Sequence, residues 1–417
     1  MGLRGRFGGD ARTPRGRVND ERELINSVVI SSSARTAIGS FGRSLVNVPP
    51  SELGATAARA AISRAGLEPD SVEQVVFGNV IHTAAEDMYL GRVVGMKAGI
   101  PKEAPAMTLN RLCGSGLQAI LTAAQVIQTG DADVAVAGGA ESMSRGAYWM
   151  PNARWGARMG DASMVDTVVG CLTDPFNDIH MGVTAENLAE SHGISRAAQD
   201  EFALESHRRA VTAREAGKFV DEIVPVEVKS PKQTIEFAVD EHPRSEVSIE
   251  GLAKLRPAFS KEGTVTAGNA SGINDAAAAV VVMSGDRAQK LGAPVRARIT
   301  SYAVCGVEPK TMGIGPVPAI RKALERAGKS LDDVEVIELN EAFAAQSLAV
   351  LKDLGLEGDA RVNPNGGAIA LGHPIAASGA ILVTKLLHEM ERQDQKLGLV
   401  SLCIGGGQGI AMLFARD

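Results

Sequence analysis

Arg64-Ala65-Gly66, then Asp70, Val72 and Glu73, then Val75-Val76-Phe77-Gly78-Asn79: this stretch returns near the other end of the chain. There it reads Arg326-Ala327-Gly328, then Asp333, Val334 and Glu335, then Val336-Ile337-Glu338-Leu339-Asn340. Each copy reads as a helix closed by Gly and a buried strand that ends at Asn. Gly66 to Asn79 is 13 residues and Gly328 to Asn340 is 12. The spacing runs on from each Asn, with 34 residues to Cys113 and 33 to His373. Both landmarks stand beside small residues that open a helix. Two similar α/β halves related by a pseudo-twofold axis would bring Cys113 and His373 towards one another. Chance similarity of two βα units is the plain alternative, and the continued spacing weighs against it.

Outward from the repeat, the chain alternates short β-rich runs with Ala/Leu-rich helical ones. Val28-Val29-Ile30 reads as a strand, Glu52 to Ala65 as a helix ending at Gly66, and Val134 to Ala137 as a strand leading into Gly138-Gly139. The alternation implies an α/β protein with buried sheets. Ser142 to about Ser271 is different, with Met, Trp and Pro clusters, a long helix from about Ser195 to Ala216, and the polar stretch Lys229 to Pro257. It reads as an insertion into a first half spanning 27–293, the second half being 294–417. Residues 1–26 carry Arg, Gly and acids with no hydrophobic period, which predicts a disordered extension.

Composition removes whole classes of function. At 417 residues, 45% hydrophobic and 22% charged, the chain can bury sizeable cores and is not disordered throughout. A net charge of −6 argues against a broad nucleic-acid surface. No apolar run reaches the ~18–20 residues of a membrane span. Four cysteines, at 113, 171, 305 and 403, form no Cys-x-x-Cys pair and have no His at finger spacing. Neither a metal site nor a disulfide framework is expected, and the reducing cytoplasm is the natural setting.

Cys113 stands in Asn110-Arg111-Leu112-Cys113-Gly114-Ser115-Gly116, just before a helical run. A thiol at a helix N-terminus feels unpaired N–H groups and the dipole, which predicts a lowered pKa and a nucleophilic thiolate; a buried packing Cys is the bland reading. His373, between Gly372 and Pro374, suits a positioned general base or a loop-tying residue equally. Cys403 opens Cys403-Ile404-Gly405-Gly406-Gly407-Gln408-Gly409, which matches no phosphate-loop pattern but can present N–H groups and a thiol to a carbonyl. Asn340 could orient a water towards an oxyanion or cap the following helix. Cys171 and Cys305 have no comparable context and read as structural.

These four segments, with His180-Met181-Gly182 and Gly268-Asn269-Ala270-Ser271-Gly272, resemble the thiolase family from about Ser27 to the C-terminus. Within it the chain most resembles bacterial acetyl-CoA acetyltransferases. The resemblance implies duplicated halves packed as α-β-α-β-α layers, with an inserted loop domain that holds coenzyme A. It implies Cys113 as acyl carrier, His373 as its base and Cys403 as the acid/base at the second substrate. Asn340 would hold a water, and the N–H groups of Cys113 and Gly405 would form an oxyanion hole. Ser271 and Ala267 would meet the pantetheine arm, and Leu172, Met181, Phe259, Ala342 and Phe343 the acyl group. His180 would border the thioester sulfur, and Arg244 would contact a phosphate. The family implies a homotetramer, coenzyme A and acyl-CoA as substrates, and no metal or organic cofactor.

Two departures stand out: Ala376 replaces the usual Gly of the His-Pro-Ile-Gly loop, a strain if that position needs φ > 0, and the N-terminal extension is unusual. Met181 favours a short-chain acetyltransferase, whereas Asp87-Met88-Tyr89-Leu90-Gly91-Arg92 resembles enzymes of broader chain length. A 3-ketoacyl-CoA thiolase is therefore the close alternative. A non-catalytic acyl-CoA binder would not need all of Cys113, His373 and Cys403, and a decarboxylating condensing enzyme would carry His in place of Cys403.

Overall fold

The computed structural model describes residues 27–229 and 233–417. The extension expected over residues 1–26 lies outside the described residues. The first half contains β1 (Val28–Thr36), α1 (Pro50–Arg64), β2 (Gln74–Gly78), α2 (Leu90–Lys97), β3 (Ala106–Leu109), α3 (Ser115–Thr129) and β4 (Val134–Ser142). After an excursion that includes α4 (Met181–His192) and α5 (Arg196–Glu215), it returns as β5 (Asn274–Ser284). The second half contains β6 (Ala297–Gly306), α6 (Pro316–Ala327), β7 (Val336–Leu339), α7 (Ala344–Leu354), α8 (Ser378–Arg392), β8 (Leu397–Ile404) and β9 (Gln408–Ala415).

The strands lie in the order β7-β8-β9-β6-β1-β5-β4-β2-β3. Read outward from the centre, β6-β9-β8-β7 repeats β1-β5-β4-β2. The repeat in the sequence is thus a repeat of topology. Two residue pairs, Val29 with Arg298 and Ile30 with Ala297, join the half-sheets edge to edge. Between them α3 and α8 pack on each other, and α8 reaches strands of both halves. With α1 outside the first half-sheet and α6 outside the second, the layers run α-β-α-β-α.

Burial on both faces explains the composition of the central strands. β4 and β5 are runs of Ala, Val and Gly that are inaccessible along almost their whole length. Helix α1 starts with Pro50 in its first turn and ends at a C-cap, Ala65, followed by Gly66 with φ +69°. Gly328 takes the same place after α6 with φ +63°. One expected boundary moves: β4 does not stop before Gly138-Gly139 but continues through them to Ser142. A Cβ at Gly139 would collide with the Ala376 carbonyl, so glycine lets the His373 loop lie on the strand.

The excursion between β4 and β5 is anchored by charge. Arg35 of β1, fully buried, pairs with Glu222 at 2.7 Å and donates to both oxygens of Asp240 at 2.8 and 2.9 Å. A bidentate guanidinium satisfies two carboxylates that would otherwise be costly to bury. Helix α5 matches the expected span, with Ser195 as its N-cap and Ala216 as its C-cap.

Candidate active site

The turn Leu112–Gly114 carries Cys113 into α3, and Leu112 takes φ +46°. Non-Gly residues in this region are uncommon and collect at functional sites. The turn packs against β8 and α8. Cys113 also shares an apolar cluster with Ile375, two residues beyond His373. The duplicated topology therefore delivers both landmarks to one place, as the spacing predicts.

His373 is buried and held from three sides. Its backbone N–H donates to Asn274 Oδ1 at 2.9 Å. Ser378 Oγ donates to the Pro374 carbonyl at 2.9 Å and so accepts from His373 Nδ1–H at 2.6 Å. That network leaves Nε2 with the lone pair, 3.4 Å from the amide nitrogen of Asn340. A neutral imidazole with Nε2 free can take a proton. Asn340 itself is buried at the end of β7, and its N–H donates to the Ser401 carbonyl. It does not cap the next helix, because α7 begins at Ala344 with Phe343 at the N-cap.

Cys403 is fully buried on β8, and the strand then breaks into the turn Gly405 to Gly407. The backbone N–H groups of Gly405 and of Cys113 itself lie where they favour the anion of the Cys113 sulfur. N–H groups so placed could form an oxyanion hole for a carbonyl attached to that sulfur. The Cys113 sulfur also disfavours the anion of Cys403, so the two thiols are electrostatic neighbours.

Titration corrects one expectation. Burial raises the Cys113 thiol to about 11, despite the two N–H groups and with a further push from Glu141. The helix terminus acts in the predicted direction, but desolvation of the charged form outweighs it. Burial likewise lowers His373 to about 4 and raises Cys403. At rest, therefore, the Cys113 thiol and the His373 imidazole are both neutral rather than an ion pair. An imidazole of ordinary pKa would lose about three-quarters of its basic form between pH 8 and pH 6. Here, acylation of Cys113 measured by rapid quench should stay flat over that interval and fall only towards pH 4. A fall centred near pH 6.5 would contradict the burial of His373.

The expected acyl-pocket residues meet around Cys403. Met181, Ala342 and Phe343 share its buried cluster, and Leu172 and Phe259 pack against it. His180 accepts from the Gly182 N–H at 3.0 Å through Nδ1, capping α4. Its Nε2–H is thereby left as the donor. Its ring stacks on Phe259 at 4.7 Å, and Phe259 meets Phe343 edge-on at 6.0 Å. Ser271 joins this wall by donating its N–H to the Ala342 carbonyl at 3.0 Å. Ala267 and Arg244 are both exposed. Arg244 lines a cavity of about 570 Å³ with Arg43, His242 and Ile273.

Three residues escape the sequence reading. Cys171, expected to be structural, packs on the same cluster as Cys113; Cys305 does lie elsewhere, against the core of the second half. Ser378 gives no sign in the sequence that its hydroxyl sets the His373 tautomer. Glu141, a fully buried acid inside an otherwise small and apolar strand, carries the one signal that could mark it. The strain suspected at Ala376 is absent, since Ala376 is not among the positive-φ residues.

The thiolase N-terminal domain matches residues 28–286, and the thiolase C-terminal domain residues 293–416. The chain is 59% identical to the beta-ketothiolase BktB of Cupriavidus necator over 94% of its own length and all of the relative's. It is 54% identical to an acetyl-CoA acetyltransferase of Pseudomonas aeruginosa, with the same coverage of both chains. Among solved structures, human mitochondrial 3-ketoacyl-CoA thiolase in complex with CoA superposes with TM-score 0.91 at 46% identity, covering 94% of this chain and 99% of that one. With both domains matched and the thiol, imidazole and second thiol gathered at one site, this chain belongs to the thiolase family of acyltransferases.

Proposed function

We propose that the protein is an acetyl-CoA C-acetyltransferase, joining two acetyl-CoA to acetoacetyl-CoA and CoA and running in reverse by thiolysis. The observation that carries this reading is the packing of the Cys113 turn against the end of β8, with Gly114 against Ile404 and Gly405 against Leu112, beside Cys403. That packing supports a carbonyl hole at Cys113 and Gly405 next to the second thiol.

His373 Nε2 takes the Cys113 proton as the sulfur attacks the first thioester carbonyl. The N–H groups of Cys113 and Gly405 hold the oxyanion, and the leaving CoA thiolate regains the proton from the imidazolium. Cys403 passes its proton to the freed His373 Nε2, and the resulting thiolate takes an α-proton from the second acetyl-CoA. Its enolate oxygen is met by His373 and by a water held on Asn340. The carbanion attacks the acetyl carbonyl on Cys113, and the departing Cys113 thiolate takes its proton back from the His373 imidazolium. Coenzyme A lies along Ser271 and Ala267, with His180 Nε2–H towards the thioester sulfur and Arg244 towards a phosphate. The chemistry needs no cofactor beyond these substrates.

The hairpin that pairs Tyr148–Trp149 with Val165–Asp166 displays Trp149, Trp155 and Met159 to solvent. Such a patch supports assembly as a homotetramer. All four cysteines are free, which supports a reducing cytoplasmic setting. Among the described residues no helix is long and apolar enough to cross a membrane.

The deciding experiment is CoA-dependent loss of acetoacetyl-CoA beside a medium-chain 3-ketoacyl-CoA. Turnover confined to acetoacetyl-CoA is expected, because Met181, Phe259 and Phe343 crowd the space beside Cys403. Faster turnover of the longer substrate would reassign the protein as a 3-ketoacyl-CoA thiolase. The similarity to the human mitochondrial enzyme of that name favours this second reading.

A further inference from the structure

Glu141 lies on β4 with no exposed surface and takes no part in the reaction above. Its Oε1 accepts from the Asn79 side-chain amide at 3.2 Å and from the Ile81 N–H at 3.1 Å. Its Oε2 accepts from the Ala376 N–H at 3.0 Å. Asn79 and Ile81 belong to the turn after β2 in the first half. Ala376 is three residues beyond His373 in the second. One carboxylate therefore bridges the first half and the loop that carries His373, and these three partners all donate to it, which suits the anion.

We propose that Glu141 is a positioning residue for the Cys113–His373 couple, its buried carboxylate binding the His373 loop of one half to the nucleophile-bearing half. The need for such a tie follows from the layout: base and nucleophile sit on different halves, and proton transfer needs them within hydrogen-bond reach. Ala376 keeps the required N–H, so the substitution of Gly at this position leaves the tie intact. Electrostatics supply a second, independent mark. The titratable groups that feel Glu141 include Asp87, Cys113 and Cys171. Burial, with Asp87 adding to it, pushes Glu141 up to about 8 against its N–H donors. In turn Glu141 disfavours the thiolate of Cys113.

The inference rests on the acyl-transfer reading, and the test separates the two. In Glu141→Gln, an amide nitrogen must face one of the N–H donors and the anion is gone. The kcat for thiolysis should fall roughly tenfold or more with KM for CoA little changed. Meanwhile, alkylation of Cys113 by iodoacetamide at pH 8, read by peptide mass, should quicken by about threefold or more as its thiolate becomes easier to form. In Glu141→Asp the charge stays but the reach to Ala376 is lost, so kcat should fall while alkylation keeps its wild-type rate. A wild-type kcat in either variant would overturn the proposal. So would a reduced kcat in Glu141→Gln with unaltered alkylation, which marks a merely structural residue. Aggregation of both variants would overturn it in the same way. Alkylation needs no acyl-CoA, so a wild-type enzyme inactive on acetoacetyl-CoA would sink the functional reading and leave the Glu141 result standing.

Discussion

Replacing Cys113 with alanine will abolish the acetyl-enzyme and lower thiolysis by about 10⁴-fold or more, the scale seen when a covalent nucleophile is removed. The prediction is specific because the site offers no substitute. Cys171 is near, but its Sγ donates to the Val168 carbonyl at 3.2 Å and burial holds its pKa up. Cys403 is fully buried, with its pKa raised by burial and by the neighbouring Cys113. Alanine also preserves the fold, since the turn Leu112–Gly114 is held by the Ser115 hydroxyl, which donates to the Leu112 carbonyl at 2.7 Å. Intact mass after incubation with acetyl-CoA reads the outcome. A stoichiometric gain of one acetyl group in Cys113→Ala would show that another residue is the acyl carrier.

Cys403→Ser separates the half-reactions. The exchange is close to isosteric in a fully buried site, so the fold and the Cys113 turn should survive. Serine's hydroxyl is a far weaker acid than a thiol and cannot supply a comparable base for the α-proton. Acetyl transfer to Cys113 should persist within a few-fold, while acetoacetyl-CoA formation falls by about 10³-fold, within the usual range for a lost general base. Condensation at the wild-type rate would remove Cys403 from proton transfer. Loss of both half-reactions together would mean that it shapes the acyl site instead.

Much of this architecture was legible because it is periodic. The two Arg-Ala-Gly…Asn stretches are local patterns, and local patterns repeated at equal spacing report a duplicated topology without any knowledge of contacts. Cys113, His373 and Cys403 were legible because Gly and Pro around them mark backbone that packing alone does not require. What escaped depends on distance in the chain. Glu141 is 235 residues from Ala376, and Cys171 is 58 from Cys113, so nothing in either neighbourhood names its partner. The direction of the Cys113 shift escaped for a related reason. The helix terminus is visible in the sequence, whereas the burial that overrides it comes from both halves closing on the site.

The twofold repeat has one consequence for chemistry. A dimer of identical subunits offers the same side chain at symmetry-related positions, so two equivalent loops facing one another across its axis would set thiol against thiol or imidazole against imidazole. Joining the copies in one chain lifts that rule. The loop before α3 can keep a nucleophile, and its counterpart before α8 can keep a base. Symmetry of the scaffold and asymmetry of the reaction are compatible here only because the linker around Ala293 makes the two copies a single polypeptide.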